Sequence, residues 1–194
     1  MTEQRLILAS GSPRRRELLA AAGYRFDVIE PRADAECGVC SEGGPAALVA
    51  ELALRKAADV RPRVDRGCIV AADTVAECGG MILGKPDDID HARAMLRRLA
   101  GQEHRVYTGL CVWPVPDGEP EIRVAVTRLK MEPLGEGSLE EYLSSGQWEG
   151  KAGAFGYQDR HGWLHIVEGS ESNVVGLPME LLKEMLDASG YRRK

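Results

Sequence analysis

Leu6-Ile7-Leu8-Ala9-Ser10-Gly11-Ser12-Pro13-Arg14-Arg15-Arg16-Glu17-Leu18-Leu19 carries a strand, a turn and a helix start in one short stretch, and its reading decides the fold. The apolar run Leu6 to Ala9 reads as a buried strand, and Ser10-Gly11 as a small-residue turn. Ser12 reads as an N-cap followed by Pro13 at the first helical position, where a missing N–H costs nothing. Arg14, Arg15 and Arg16 then fill the first helical turn with the wrong charge. The macrodipole and the unsatisfied N–H groups of a helix start favour anions, by about 0.3–1 kcal/mol per charge. A local rule broken in this way marks a functional site. A polyanion held jointly by the helix start, the Ser/Gly turn and the guanidinium groups resolves the conflict, which reads as a phosphate site. The plainer reading is a solvated basic turn, since three consecutive arginines cannot all face one way. The segment alone leaves both open.

Outward from this unit, strand-like and helix-like stretches alternate. Gly23 ends the first helix, and Tyr24 to Ile29 alternates as a strand. Pro31 to Pro45 is a polar loop holding Asp34 and Glu36, and Ala46 to Val60 reads as a helix. Cys68 to Ala72 is an apolar run typical of a strand buried on both faces, and it runs into Asp73 and Thr74 before the Gly79-Gly80 turn. Met81 to Leu83 is a second short strand, leading to the turn Gly84-Lys85-Pro86. Asp90 reads as the N-cap of a helix over Ala92 to Ala100, closed by Gly101. Two longer strands, about His104 to Trp113 and Glu121 to Met131, are joined through Pro116-Asp117-Gly118-Glu119 in a hairpin-like pattern. Ser138-Leu139-Glu140-Glu141 has the capping-box pattern of a helix that ends near Gly146. Lys151 to Gln158 is glycine-rich and apolar, suited to close approach of backbone to a ligand. A strand at Trp163 to Val167 and a helix from Pro178 to Ala188, closed by Gly190, complete a mixed α/β pattern around a central twisted sheet.

The length of 194 residues accommodates one good-sized domain or two small lobes. Hydrophobic residues make up 44% and charged residues 28%, the balance of an ordinary globular protein. With a formal net charge of −5, the arginine cluster is a local feature of a mildly acidic molecule. That disfavours a nucleic-acid partner gripped by a broad basic face and suits a small anion steered into one cleft. No stretch approaches a membrane span and the first residues do not resemble a signal peptide, so the cytoplasm is the expected compartment. The five cysteines, Cys37, Cys40, Cys68, Cys78 and Cys111, are odd in number and scattered, unlike a secreted disulfide framework. Cys68 and Cys111 lie in apolar runs and read as buried thiols. Cys37-Gly38-Val39-Cys40 has the spacing of a redox pair or half a zinc site. His161 and His165 lie too far away to complete a zinc finger, so the pair reads as incidental to a loop.

Asp73 is the most conspicuous carboxylate. It ends a run so apolar that an ionised group there needs a partner: a divalent cation, Lys56, Lys85 or the Thr74 hydroxyl. A turn cap at the strand end is the plainer alternative, whereas strand ends of α/β sheets are common ligand positions. Lys56, near the end of its helix, reads on its own as a cation complementing the dipole. Lys85 follows a glycine in a turn suited to phosphate contact, without the spacing of a Walker A loop. Glu36 and Asp34 offer further oxygen ligands of the kind magnesium takes alongside substrate phosphates. Ser10 and Ser12 lie in no nucleophile elbow and the histidines form no triad. What remains, arginines, lysines and a few carboxylates, suits metal-assisted phosphoryl or phosphoanhydride chemistry.

Five ordered segments, Ser10-Gly-Ser-Pro-Arg-Arg15, Ala72-Asp-Thr-Val75, Leu83-Gly-Lys-Pro86, Lys151 to Gln158 and Asn173-Val-Val-Gly-Leu-Pro178, together closely resemble the Maf family of nucleoside triphosphate pyrophosphatases. The resemblance spans nearly the whole chain. It implies a single domain over residues 1–194 with a fold like that of inosine triphosphate pyrophosphatases: an elongated mixed sheet flanked by helices, with two lobes around a deep cleft. It implies hydrolysis of a nucleoside triphosphate to the monophosphate and pyrophosphate with Mg2+, Mn2+ or Co2+, in a homodimer without nucleic-acid or membrane partners. Residue by residue, Asp73 matches the proton acceptor and a metal ligand. Ser10, Arg14, Arg15, Lys56 and Lys85 match phosphate-handling positions, while Arg16 is left as a solvated side chain. The family's loop carboxylate matches Glu36, with Asp34 as the alternative because the local pattern is Asp34-Ala35-Glu36.

Arg14, Thr74 and Gln158 match the three specificity positions of the dTTP/UTP-cleaving members, where 7-methyl-GTP-cleaving members tend to carry Trp, Gln and Glu. A neutral Gln158 amide can donate to and accept from the O4/N3–H edge of a pyrimidine, whereas Glu suits the cationic edge of a methylated guanine. The resemblance therefore implies a dTTP/UTP pyrophosphatase that also removes modified pyrimidine nucleotides. The alternatives are a 7-methyl-GTP or broader pyrophosphatase, or a nucleotide-binding regulator of cell division that needs neither metal nor Asp73.

Overall fold

Leu6–Leu8, the core of the opening stretch, forms β1, with every side chain buried. The computed structural model describes residues 5–36, 43–159 and 161–192; Cys37 and Cys40 lie outside them, as do the side chains of Glu36 and Gln158. β1 pairs in parallel with β2 (Asp27–Val28) on one side and β3 (Gly67–Cys78) on the other, with Ile7 opposite Ile69. Between β1 and β2 lies α1 (Pro13–Ala21), with Ser12 at the N-cap position and Pro13 opening the helix. The strand expected over Tyr24 to Ile29 shrinks to Asp27–Val28, the two residues that pair with Ile7 and Leu8 of β1.

α2 (Gly44–Val60) precedes β3, and β4 (Met81–Leu83) folds back antiparallel onto β3 through Gly79-Gly80, with Ala76 opposite Leu83. That pairing carries β3 well past Asp73, so Asp73 stands in mid-strand and not at the strand end that the apolar run suggested. α3 (Ile89–Leu99) is followed by β5 (Glu103–Val115) and β6 (Glu121–Met131). α4 (Glu136–Ser144), β7 (Leu164–Glu168), α5 (Glu171–Val175) and α6 (Met179–Ala188) complete the chain. The seven strands form one mixed sheet in the order β2-β1-β3-β5-β6-β7, with β4 on β3 and β7 antiparallel to β6.

Two helix starts differ from their expected places. Asp88, not Asp90, caps α3: its backbone is extended and its carboxylate accepts the His91 N–H at 2.7 Å. Asp90 lies two residues further on, within the first turn, and pairs with Arg93. α4 begins after Gly135, which leaves Ser138 inside the helix and the capping box unformed. The earlier start brings Glu136 to Arg97 of α3 at 2.9 Å, while Glu140 receives Arg93 of the same helix at 2.9 Å.

The described chain divides into two compact units. One comprises the described parts of Met1–Asp73, Thr108–Ala125 and Gly176–Lys194; the other comprises Thr74–Tyr107 and Val126–Val175. In the first unit, strand alternation sorts the core into two layers. Leu6, Leu8, Val70, Ala72, Leu110 and Val112 pack with Leu182, Met185 and Leu186 of α6. Ile7, Ile69, Ala71 and Cys111 pack with Ala53, Ala57 and Val60 of α2. α2 passes so close to β5 that a Cβ at Gly109 would fall on the Val49 carbonyl, which is why the strand carries glycine there. The second unit has its own core, centred on Leu96 and Leu99 of α3, Leu129 and Met131 of β6, and Tyr142 and Leu143 of α4.

Candidate active site

In the first unit, the turn after β1 is held by its own arginines. Ser10 is buried, and its Oγ accepts the Ser12 N–H and the Arg15 Nη1–H, both at 3.2 Å. Arg15 also donates from Nε to the Gly176 carbonyl at 2.7 Å, so the turn is tied to the chain just before α6. Arg16 donates to the Gly11 carbonyl at 2.8 Å and lies 3.5 Å from Glu30. It is therefore bonded to the turn and not the purely solvated side chain expected. Arg14 is half-buried beside them. The consecutive arginines do diverge, as the geometry of a helix requires: Arg16 finds a carbonyl oxygen of the turn itself, and Arg15 the carbonyl of Gly176 before α6.

Asp73 meets Lys56. The Lys56 Nζ lies 2.6 Å from Asp73 Oδ1, with only 5% and 14% of the two side chains exposed. The residues of β3 alternate faces, so Asp73 continues the Ile69–Ala71 face that α2 covers. Lys56 stands on the buried stripe of α2 with Val49, Ala53, Ala57 and Val60. It lies before the last helical turn, so the ion pair replaces the dipole reading of this lysine. The i, i+3, i+4 spacing of that stripe was the signal in the sequence that Lys56 points inward. Of the partners considered for Asp73, the structure supplies Lys56.

The second unit holds Thr74, Lys85 and Gln158. Thr74, the next residue along β3, is half-buried on the opposite face from Asp73. Lys85 is exposed in the turn after β4. The Gly84 carbonyl beside it accepts the Gly153 N–H at 2.9 Å, which joins the Lys85 turn to the Lys151–Gln158 segment. Gly153 has φ +70, and a Cβ there would stand 3.3 Å from the Ala76 Cβ and 3.4 Å from Leu99 Cδ1. Gln158 lies in the short turn Tyr157–Asp159. The residue after it, Asp159, accepts Lys151 Nζ at 2.5 Å on both carboxylate oxygens and the Tyr142 hydroxyl at 2.9 Å. Asp159 was not anticipated; its only mark in the sequence is that it follows the glycine-rich segment.

Glu36 ends the short turn Ala33–Glu36, and Asp34 on that turn is exposed. Among the described residues no group of three His, Cys, Asp or Glu side chains is gathered to cage a metal ion. His161 lies 3.1 Å from Gln147 and stacks on Trp163, while His165 faces Glu132, so these two histidines do not act as a pair. Cys68, Cys78 and Cys111 are buried free thiols. Burial pushes Cys68 up to about 11 and Cys111 up to about 12. No helix among the described residues is long and apolar enough to cross a membrane.

The sheet order and flanking helices define the class first. The Ham1 protein of Staphylococcus aureus superposes with a TM-score of 0.55 over 96% of this chain and 100% of its own, at 12% identity. This is the inosine triphosphate pyrophosphatase-like α/β fold that the sequence led us to expect. A family model described as "Maf-like protein" matches residues 5–189, and the chain belongs to the Maf family. Among its relatives, the dTTP/UTP pyrophosphatase of Rhodopirellula baltica is 56% identical over 94% of this chain and 81% of its own length. The dTTP/UTP pyrophosphatase of Pelotomaculum thermopropionicum is 39% identical over 96% of this chain and 97% of its own.

Proposed function

We propose that this chain is a nucleoside triphosphate pyrophosphatase that hydrolyses dTTP and UTP, and modified pyrimidine nucleotides, to the monophosphate and pyrophosphate. One observation carries the reading: the chain is 56% identical, over 94% of its length, to a relative named for that activity. The buried Lys56–Asp73 pair supports a mechanism for it, because it fixes a carboxylate in one orientation on the strand face that carries the apolar residues Ile69 and Ala71.

Arg14, Arg15, Lys56, Lys85 and Ser10 bind the triphosphate in this scheme. Arg15 enters it already oriented by its bonds to Ser10 and Gly176, so little side-chain freedom is lost on binding. Asp73 receives a proton from the attacking water on its carboxylate, a general-base contribution of about 10²–10⁴ in rate. Arg14, Thr74 and Gln158 select the base, Gln158 through both hydrogen-bonding ends of its amide. The donor set fits a hard divalent cation: Asp73 supplies an oxygen ligand held in place by Lys56, and such an ion takes only one or two carboxylates when substrate phosphates complete its shell. Asp73 and Glu36 would hold Mg2+, Mn2+ or Co2+, which supplies charge neutralisation at the phosphate. We place the enzyme in the cytoplasm as a homodimer, without nucleic-acid or membrane partners.

The test is a panel of dTTP, UTP, CTP, ATP, GTP and 7-methyl-GTP with Mg2+, Mn2+ or Co2+, with pyrophosphate distinguished from phosphate. Pyrophosphate release from dTTP and UTP ahead of the purines is the expected result. Binding without release would make the chain a nucleotide-binding regulator. A preference for 7-methyl-GTP would overturn the assigned base specificity.

A further inference from the structure

We infer that Lys151, Asp159 and Tyr142 form a buried clasp whose role is to position Gln158 and the Lys85 turn for substrate, an inference that rests on the pyrophosphatase reading above. Asp159 directly follows Gln158, and consecutive Cα atoms stand a fixed distance of about 3.8 Å apart, so holding one residue holds the other. The Lys151 ammonium lies 2.5 Å from each Asp159 oxygen, and the two side chains are 10% and 8% exposed. The Tyr142 hydroxyl donates to Asp159 Oδ2 at 2.9 Å, while its ring packs on Phe155, 5.1 Å between centroids. Tyr142 thus grips the segment in its middle and at its end.

A pair of charges this deep is a poor source of stability, since an apolar pair of similar volume is often as good or better. What the ion pair adds is direction: it ties the first residue of the Lys151–Gln158 segment to the residue just beyond its last. Between those ends the backbone is forced. Gly153 has φ +70, and Ala154, fully buried, has φ +61, a conformation that non-glycine residues keep only when their surroundings over-determine it. The same stretch donates the Gly153 N–H to Gly84, next to Lys85. One clasp therefore sets both the base-reading residue and a phosphate-binding turn. None of its three members needs to touch the nucleotide; they are positioning residues.

The experiment compares Tyr142→Phe, the double variant Lys151→Met/Asp159→Leu and the reference Gln158→Ala with wild type. It measures kcat and KM for dTTP and dATP together with the thermal midpoint. The double variant exchanges the ions for apolar groups of similar volume and is expected to keep its fold. We expect its KM for dTTP to rise about tenfold or more, because loosely held contacts lose productive geometry, with its preference for dTTP over dATP reduced in parallel with that of Gln158→Ala. Tyr142→Phe shifts both in the same direction by about two- to fivefold, the loss of one hydrogen bond to a charged group. A folded double variant with wild-type KM and base preference overturns the clasp. If the double variant does not fold, an unchanged Tyr142→Phe overturns it. Wild-type protein inactive on dTTP rejects the proposed function itself. Gln158→Ala with an undiminished base preference removes the residue that the clasp is said to position.

Discussion

Lys56 shares a helix stripe with Val49, Ala53, Ala57 and Val60, where an ammonium is costly to desolvate unless it is paired. Its partner, Asp73, lies on the one strand face that the stripe covers. Asp73→Asn keeps the size of the side chain and removes the base. Steady-state assays of the purified variant should show turnover of dTTP reduced by about 10²–10⁴, with nucleotide affinity retained. Turnover near the wild-type rate would show that another group takes the proton. His104 is a second buried polar residue, and burial lowers its pKa below the ordinary 6.5, against opposing contributions from the Gln102 backbone and Glu77. Above that value the imidazole is neutral in both folded and unfolded chains. As pH falls through it, the unfolded chain takes up the proton first, so stability declines until the lower folded pKa is passed. Urea midpoints measured from pH 7.5 down to about 5 should therefore fall more steeply for wild type than for His104→Gln.

At the scale of elements, the ends of helices and strands follow partners more than propensity. Asp88 and Asp90 are both reasonable caps in the sequence, but only Asp88 has the extended backbone that lets its carboxylate reach the His91 N–H. Asp88→Ala should lower stability by about 0.5–2 kcal/mol in urea unfolding, and Asp90→Ala, which loses an exposed pair with Arg93, by less than about 1 kcal/mol. Equal losses would return the cap to Asp90. The kinds of elements and their order were legible in local sequence: apolar runs for β1 and β3, an apolar stripe for α2, turn residues before β6. The lengths of β2 and β3 were not, because they depend on pairing with the distant strands β1 and β4. α4 begins where Glu136 and Glu140 reach α3, which no capping pattern within α4 could disclose.

The whole molecule rests on apolar cores within its two compact units, and no metal cage is gathered among the described residues. A chelator should therefore abolish pyrophosphate release while the thermal midpoint moves by no more than about 2–4 °C, the shift that about 1 kcal/mol makes in a chain of this size. A large fall in the midpoint would make the cation structural. The same cores shelter Cys68, Cys78 and Cys111, and burial raises all three thiol pKa values. Iodoacetamide at pH 8 followed by peptide mapping should leave these three unmodified until the protein is unfolded. Modification of Cys111 in the native state would show that its core opens readily.

The residues of the chain, read in order, determined its α/β class, its family and the side chains able to do chemistry, because hydrophobic period, turn residues and motif spacing are properties of near neighbours. Arg14 and Arg15 at a helix start, Asp73 in an apolar run and Lys85 after a glycine are visible on that scale. Only the tertiary structure decided what each of them meets. Lys56 reaches Asp73 seventeen positions away, Arg15 reaches Gly176 across 161, and the Gly153 N–H finds Gly84. Such contacts exist only after distant strands have paired and helices have packed on them, when burial forces each charge and each backbone N–H to take a partner. For that reason the arginine-rich turn was legible as an anion site or a solvated turn, while the bonds that orient it were not.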